Sequence, residues 1–248
     1  MVRHNRRRAE SGFYHVVLKE SGSQILFEDD DDRRAFLSYL EEMLARYDSQ
    51  LIAWCLMDNH VHLVVSDARG KVSACIHDLA TSYAVYFNKR HNRGGQVFDG
   101  RFHSVPIESD RQLLCAVRYV HDNPAKAGIS TTDTYAWSSY RAYLQGRSGC
   151  TSIGLVLDML GDARGFKAFS ESSEYADYEF RAGARWTDEE ALEAVREVVG
   201  GVPSSIKALP VHERNECLRL LRDRGLSVRQ LERLTGIGRG IITCAVRC

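Results

Sequence analysis

Two largely apolar runs, residues 51–57 and 61–65, are separated by little more than Asp58-Asn59. So short a gap joins antiparallel strands, because a parallel crossover needs a dozen residues or more. The rest of the chain has to be arranged around that hairpin. Before it, residues 14–18 read as a strand, and the run Asp29-Asp30-Asp31-Asp32 introduces a helix over about 32–47. Carboxylates there suit the positive end of the helix dipole. Phe36, Leu40, Met43, Leu44 and Tyr47 recur at helical spacing on it. After the hairpin a helix over about 73–89 puts Ile76, Leu79, Tyr83 and Tyr86 on one face, which we read as core. Residues 102–107 form another strand. Ser109-Asp110-Arg111-Gln112 is a capping box that opens a further helix, expected to end at Asp122 or Asn123 because Pro124 follows.

The order β-α-β-β-α-β-α predicts an α+β chain, and its first six elements fit a ferredoxin-like antiparallel sheet with its helices on one face. The opposite face is then available for a site. Beyond Gly128 only helical segments are apparent, at 137–144, 188–198 and the end of the chain. The net charge is zero, but its distribution is uneven. Residues 151–210 carry 6 Lys and Arg against 11 Asp and Glu, and residues 211–248 carry 8 against 4. Three parts follow from this: a core domain over 1–148, an acidic helical connector over 149–210, and a basic C-terminal piece over 211–248.

Seven cysteines form no Cys-x-x-Cys pair and are odd in number, which argues for reduced packing residues over a disulfide framework or zinc knuckle. No run approaches the roughly 18 apolar residues of a membrane span, and the basic start has no apolar leader. A cytoplasmic, nucleoid-associated protein with no membrane partner is expected.

The strand 61–65 and the residue before it carry His60-Val61-His62. Alternation points both imidazoles to one face, about 7 Å apart at Cα, and Val61, Leu63 and Val65 to the other. Two neutral imidazoles so placed can share one metal ion. Tyr119 and Asn123, four residues apart on a helix, lie on one side of it, flanking the apolar stripe of Leu113, Ala116, Val117 and Val120. A tyrosine hydroxyl beside a metal-bound phosphate is a nucleophile able to form a covalent phosphotyrosine. Basic clusters at Arg3, Arg6, Arg7 and Arg8, and at Lys89, Arg90, Arg93 and Arg101, suit phosphate contacts. Residues 226–239 resemble a helix-turn-helix, with Ser227 capping the first helix, Gly236 in the turn, and a second helix from about Arg239 to Arg247. Arg229, Arg233 and Arg239 are its candidate contacts to duplex DNA.

These motifs occur together in one order: Leu56-Met57-Asp58-Asn59-His60-Val61-His62-Leu63-Val64-Val65, Tyr86-Phe87-Asn88, Phe98-Asp99-Gly100-Arg101-Phe102, Arg118-Tyr119-Val120-His121-Asp122-Asn123-Pro124-Ala125-Lys126-Ala127-Gly128 and Trp137-Ser138-Ser139-Tyr140. In this run the chain resembles the REP-associated tyrosine transposases, a branch of the HUH single-strand transposases, over about residues 12–145. The departures are Asp58, where that family more often has proline, and Ala125, where it has valine. The resemblance implies a ferredoxin-like nuclease domain, dependence on Mg2+ or Mn2+, and recognition of single-stranded hairpins of REP-like palindromes. It places the metal on His60 and His62 with Asn123 as a third ligand, and the nucleophile on Tyr119, which would form a 5′-phosphotyrosine and release a 3′-hydroxyl. No ATP is required, in line with the absence of a Gly-x-x-x-x-Gly-Lys loop. A replication or transfer nickase sharing the histidine pair would carry fused parts for which this chain is too short. The alternative from another class is a noncatalytic, domesticated regulator that only binds DNA.

Overall fold

The computed structural model describes residues 9–22, 25–67, 69–172, 178, 188–223, 226 and 228–247. Arg3, Arg6, Arg7, Arg8 and Ser227 lie outside them. The elements run β1 (Phe13–Lys19), α1 (Asp30–Tyr47), β2 (Gln50–Leu56), β3 (His60–Ser66), α2 (Val72–Arg90), β4 (His103–Ile107), α3 (Asp110–Lys126), α4 (Tyr140–Gln145), α5 (Gly154–Leu160) and α6 (Ala163–Glu171), followed by helices of a second unit. The four strands are antiparallel in the order β2-β3-β1-β4, the ferredoxin-like arrangement that the element order predicts.

Local chemistry sets the helix ends. The Asp29 side chain accepts from the amides of Asp31 and Asp32, and Asp30, Asp31 and Asp32 occupy the first turn of α1. Asp32 is fully buried there and binds His91 at 2.9 Å and the Arg90 guanidinium, which ties the start of α1 to the end of α2. Ser109 accepts from the Gln112 amide at 3.2 Å while Gln112 accepts from the Glu108 amide at 2.7 Å, so the Ser-x-x-Gln box starts α3. The helix does not stop before Pro124 but continues one turn to Lys126. A proline that close to the end removes a single helical hydrogen bond, and its own carbonyl accepts from Ile129 beyond the turn at Gly128, where φ is +68°.

Strand alternation sends Tyr14, Val16 and Leu18, with Val61, Leu63 and Val65, to one face. There they meet Phe36, Leu40 and Met43 of α1 and Ile76, Leu79 and Tyr83 of α2. The other face is only partly open, because α3 and the helices after it cover its β2 side. Ile52, Cys55, Met57 and Val64 pack there with Leu113, Val117 and Val120 of α3, with Tyr140 and Tyr143 of α4, and with Val156 and Phe166. A bulge between Leu51 and Ala53 turns both Ile52 and Ala53 to that face.

β2 is a sheet edge, and the segment after α3 closes it. Leu56 donates to the Trp137 carbonyl at 2.9 Å, Trp54 donates to Ser139 Oγ at 3.0 Å, and Ser152 donates to the Leu51 carbonyl at 2.7 Å. Tyr143 and Tyr135 donate their hydroxyls to the carbonyls of Ile52 and Leu56. Covering an edge in this way removes a template for pairing with another chain. The first compact unit therefore runs to Phe180, beyond the boundary at 148 expected from charge, because residues 150–172 complete its second core layer. The second unit, 181–248, contains α7 (Asp188–Val199), a 3-10 turn (Pro203–Ala208), α8 (Val211–Asp223), α9 (Val228–Thr235) and α10 (Arg239–Arg247) around Val195, Ile206, Leu218, Leu221, Leu231 and Ile242. Among the described residues no helix is long and apolar enough to cross a membrane.

Two outcomes follow from this packing. Phe166 is fully buried and stacks on Tyr143 at 4.5 Å between ring centroids, so Phe166→Ala should cost about 3–5 kcal/mol in urea unfolding. A loss under 1 kcal/mol would mean α6 does not hold the core layer. His121, fully buried against Tyr140, Tyr143 and Phe166 with Nε2 on Ser139 Oγ at 2.7 Å, has its pKa pushed down to about 3 by burial. The unfolded chain takes up that proton below about pH 6.5 and the folded chain does not until near pH 3. Stability should accordingly fall as pH drops through that window, by up to about 1.4 kcal/mol per pH unit from this one group. His121→Gln should flatten the slope, and a slope unchanged by it would show that the ring is not held neutral.

Candidate active site

Beside the part of the sheet on which the apolar side of α3 packs lies the β1–β3 pair. In its register Val17 faces His62 and Lys19 faces His60, so His15, Lys19, His60 and His62 all project from the same side. The rings of His60 and His62 lie 4.8 Å apart. His15 Nε2 is 2.9 Å from His62 Nδ1, and His15 Nδ1 is 3.0 Å from the Tyr178 hydroxyl. His60 Nδ1 is 2.7 Å from Asn59 Oδ1 at the hairpin turn.

One side of α3 closes over this pair of strands. Tyr119 sets its ring edge-on to His62 and His15, both at 5.7 Å, and to Tyr178 at 5.5 Å. One turn on, Asn123 donates from Nδ2 to the Tyr119 carbonyl at 2.7 Å and stands within hydrogen-bond reach of the His60 ring. Another turn on, the Lys126 ammonium stands 4.1 Å from the centre of the Tyr119 ring. The helix holds this orientation because its opposite side is committed to the core, through Leu113, Val117, Val120 and the His121–Ser139 hydrogen bond. Structure thus brings together His60, His62, Tyr119 and Asn123, the four residues that the motifs single out.

Burial depresses the basicity of both imidazoles. His62 sits well below the ordinary histidine range through desolvation, with His15, His60 and Lys126 adding charge effects. His60 is lowered chiefly by desolvation and also by Lys19, against the Asn123 side chain, which as an acceptor favours the protonated ring. Both rings are therefore neutral near pH 7 and carry a lone pair. Asn59 Oδ1 can only accept, so His60 holds its hydrogen on Nδ1 and keeps Nε2 for a ligand. Asn123 spends its amide nitrogen on Tyr119, which leaves its carbonyl oxygen as the end offered to His60. Two imidazole nitrogens and one amide oxygen form a mixed nitrogen and oxygen donor set of the kind that holds a divalent cation. No group of three His, Cys, Asp or Glu residues set to hold a metal occurs among the described residues.

The basic residues fall elsewhere. Arg90 is bound to Asp29 at 2.7 Å and to Asp32, and Arg93 lies 3.3 Å from Glu28. With Lys89 they stand at the end of α2, in the helical layer on the far face of the sheet. Arg101 follows a loop whose Val97 and Asp99 pair with Ser21 and Lys19 at the end of β1. In the second unit Arg229, Arg233 and Arg239 are exposed, and Arg239 pairs with Glu232. Sequence pattern does not mark His15, Lys126 or Tyr178. Strand parity could have found the first, since 15, 17 and 19 share a face as 60 and 62 do, but the pairing register is needed to bring the two strands together.

Comparison with known proteins finds the same fold. A solved REP-associated tyrosine transposase, bound in that structure to a REP hairpin, superposes with a TM-score of 0.56 over 75% of this chain and 98% of its own, at 13% identity. A Deinococcus radiodurans R1 protein assigned as a transposase aligns over 49% of this chain and 97% of its own, at 15% identity and a TM-score of 0.34. No curated protein is similar enough in sequence to match. The family model described as IS200-like transposase matches residues 9–123. That segment begins just before β1 and ends at Asn123, the amide beside His60, and over it this chain is similar to the IS200-like transposases.

Proposed function

We propose that the chain is a divalent-metal-dependent endonuclease and strand transferase acting on single-stranded DNA beside hairpins. The convergence of Tyr119 on the neutral His60–His62 pair, with Asn123 between them, carries this reading. A Mg2+ or Mn2+ ion held by His60, His62 and Asn123 would polarise the scissile phosphate and offset the charge that builds on it. The Tyr119 oxygen attacks the phosphorus, the bond to the 3′-oxygen breaks, and the phenol proton leaves to solvent while the departing 3′-oxygen gains one. The product is a 5′-phosphotyrosine. Attack on it by another 3′-hydroxyl restores the phosphodiester and the free tyrosine, so the bond energy is retained and no nucleotide cofactor is consumed.

Lys126 has a place in this scheme. An ammonium 4.1 Å from the ring favours the developing phenolate and lies where a phosphate would approach. The structural neighbour bound to a REP hairpin supports a folded single strand as the substrate class. Arg3, Arg6, Arg7, Arg8, Lys89, Arg90, Arg93 and Arg101 are proposed phosphate contacts. The α9–α10 pair, with Arg229, Arg233 and Arg239, is a proposed accessory to duplex flanks of the helix-turn-helix kind. Such a protein works in the cytoplasm, at the nucleoid.

Incubation with a library of single-stranded hairpins and Mn2+ should give protein–DNA adducts that survive denaturing gels. Tyr119→Phe should abolish the adducts and leave hairpin affinity within a few fold, since it removes one oxygen and no charge. Adducts at wild-type yield in that variant would reject Tyr119 as the nucleophile. His60→Ala with His62→Ala should remove cleavage, and cleavage by the wild-type protein in chelator equal to that in Mn2+ would reject the metal.

A further inference from the structure

His15 has no part in the scheme above, yet its ring touches the site on one side and Tyr178 on the other. It is fully buried, 2.9 Å from His62 Nδ1 through Nε2 and 3.0 Å from the Tyr178 hydroxyl through Nδ1. The His15 ring stacks on Tyr178 at 5.8 Å and an interplanar angle of 23°, and lies 5.1 Å from the His62 ring. A neutral imidazole has one donor and one acceptor nitrogen, so this chain of hydrogen bonds has only two polarities. In one, Tyr178 donates to His15 and His15 to His62, which puts the His62 hydrogen on Nε2. In the other, His62 donates from Nδ1 to His15, and His15 donates from Nδ1 to the Tyr178 oxygen. Only the second leaves a lone pair on His62 Nε2, the nitrogen through which His62 would hold a cation. His60 already has that form, because Asn59 Oδ1 takes its Nδ1 hydrogen.

We propose that His15 is a positioning residue that holds His62 in its Nδ1–H form, with the Tyr178 hydroxyl as the acceptor ending the chain, so that Nε2 keeps its lone pair for a divalent cation. The inference rests on His60 and His62 being the cation ligands of the function proposed above. It makes the two ligands alike by different means: an exposed turn amide fixes one ring and a buried imidazole fixes the other. Partners of this kind, once removed, typically cost 10–100-fold in metal affinity.

The test uses the full chain and two readouts, neither of them catalysis. In the metal-free protein labelled with 15N-histidine, long-range 1H–15N correlation spectra report which nitrogen of His62 carries hydrogen, and Nδ1 is expected. Mn2+ titration followed by the electron paramagnetic resonance of the unbound ion gives the affinity. His15→Phe keeps the ring volume without an acceptor and should weaken Mn2+ binding 10–100-fold, whereas His15→Gln, with an amide oxygen in reach, should recover most of the loss. Tyr178→Phe should act in the same direction and more weakly, and it decides the matter with the wild-type spectrum if His15→Phe does not fold. Hydrogen on His62 Nε2 in the wild type, or folded His15→Phe with Mn2+ affinity within twofold of wild type, would overturn the proposal. A wild-type protein that has the Nδ1–H form but binds no Mn2+ would instead overturn the cation reading, with the hydrogen-bond polarity left established.

Discussion

The grip of the sheet on one side of α3 is what the rest of the site depends on. Leu113, Val117 and Val120 bury against β2 and β3, and His121 reaches Ser139, whose hydroxyl also takes the amide of Trp54. That anchoring sets the rotation of the helix. With 3.6 residues per turn, a helix so held has to present Tyr119, Asn123 and Lys126 on its other side, above the histidines of the β1–β3 pair. A rotation of one residue, about 100°, would turn Tyr119 away from both imidazoles. The Trp137-Ser138-Ser139-Tyr140 motif, remote from the histidines in sequence, therefore supports the arrangement of these side chains by closing the edge of β2 and fixing α3.

Much of this was legible in the sequence because it rests on local periodicities. The alternation in His60-Val61-His62 places two imidazoles on one face whatever the strand is paired with, and the four-residue step from Tyr119 to Asn123 places two side chains on one side of any helix. The hairpin, the capping box and the acidic start of α1 are equally local. What was not legible depends on register or on distant chain. His15 matters only once β1 is paired with β3 in the observed register, and Tyr178 lies in a stretch whose composition says no more than that it is acidic. Pro124 misplaces the end of α3 because the rule that proline ends helices concerns the helix interior, and here a single last turn remains to be made. Charge counts put a boundary at 148, whereas the apolar contacts of Ile153, Val156 and Phe166 carry the first unit to Phe180.

The same distinction applies to the basic residues. Lys89, Arg90 and Arg93 cluster in sequence with the look of a phosphate site, yet two of the three are paired in the structure with carboxylates at the start of α1. A guanidinium in such a pair has to exchange one anion for another to meet DNA, so its net contribution to phosphate binding is smaller than its formal charge suggests. Lys19 and Lys126 are single residues that no cluster count would select, and they are the cations placed beside the histidine pair.

Burial and charge then act on the pair in one direction. Removing His60 and His62 from water penalises their charged forms, and the nearby ammonium groups of Lys19 and Lys126 add to that penalty. The outcome is a pair of neutral donors at a pH where exposed histidines begin to take up protons. The same two lysines would repel a bare cation, and this sets a condition on the site. A metal held by two neutral imidazoles and an amide brings its full charge with no carboxylate to offset it, among cations of the protein itself. Such an assembly is satisfied electrostatically only when an anion joins it. A phosphate does so at once, drawing on the metal and on Lys126 together, so cation and phosphate should favour each other's binding. The proposed metal site would in that sense be complete only with a phosphate in place.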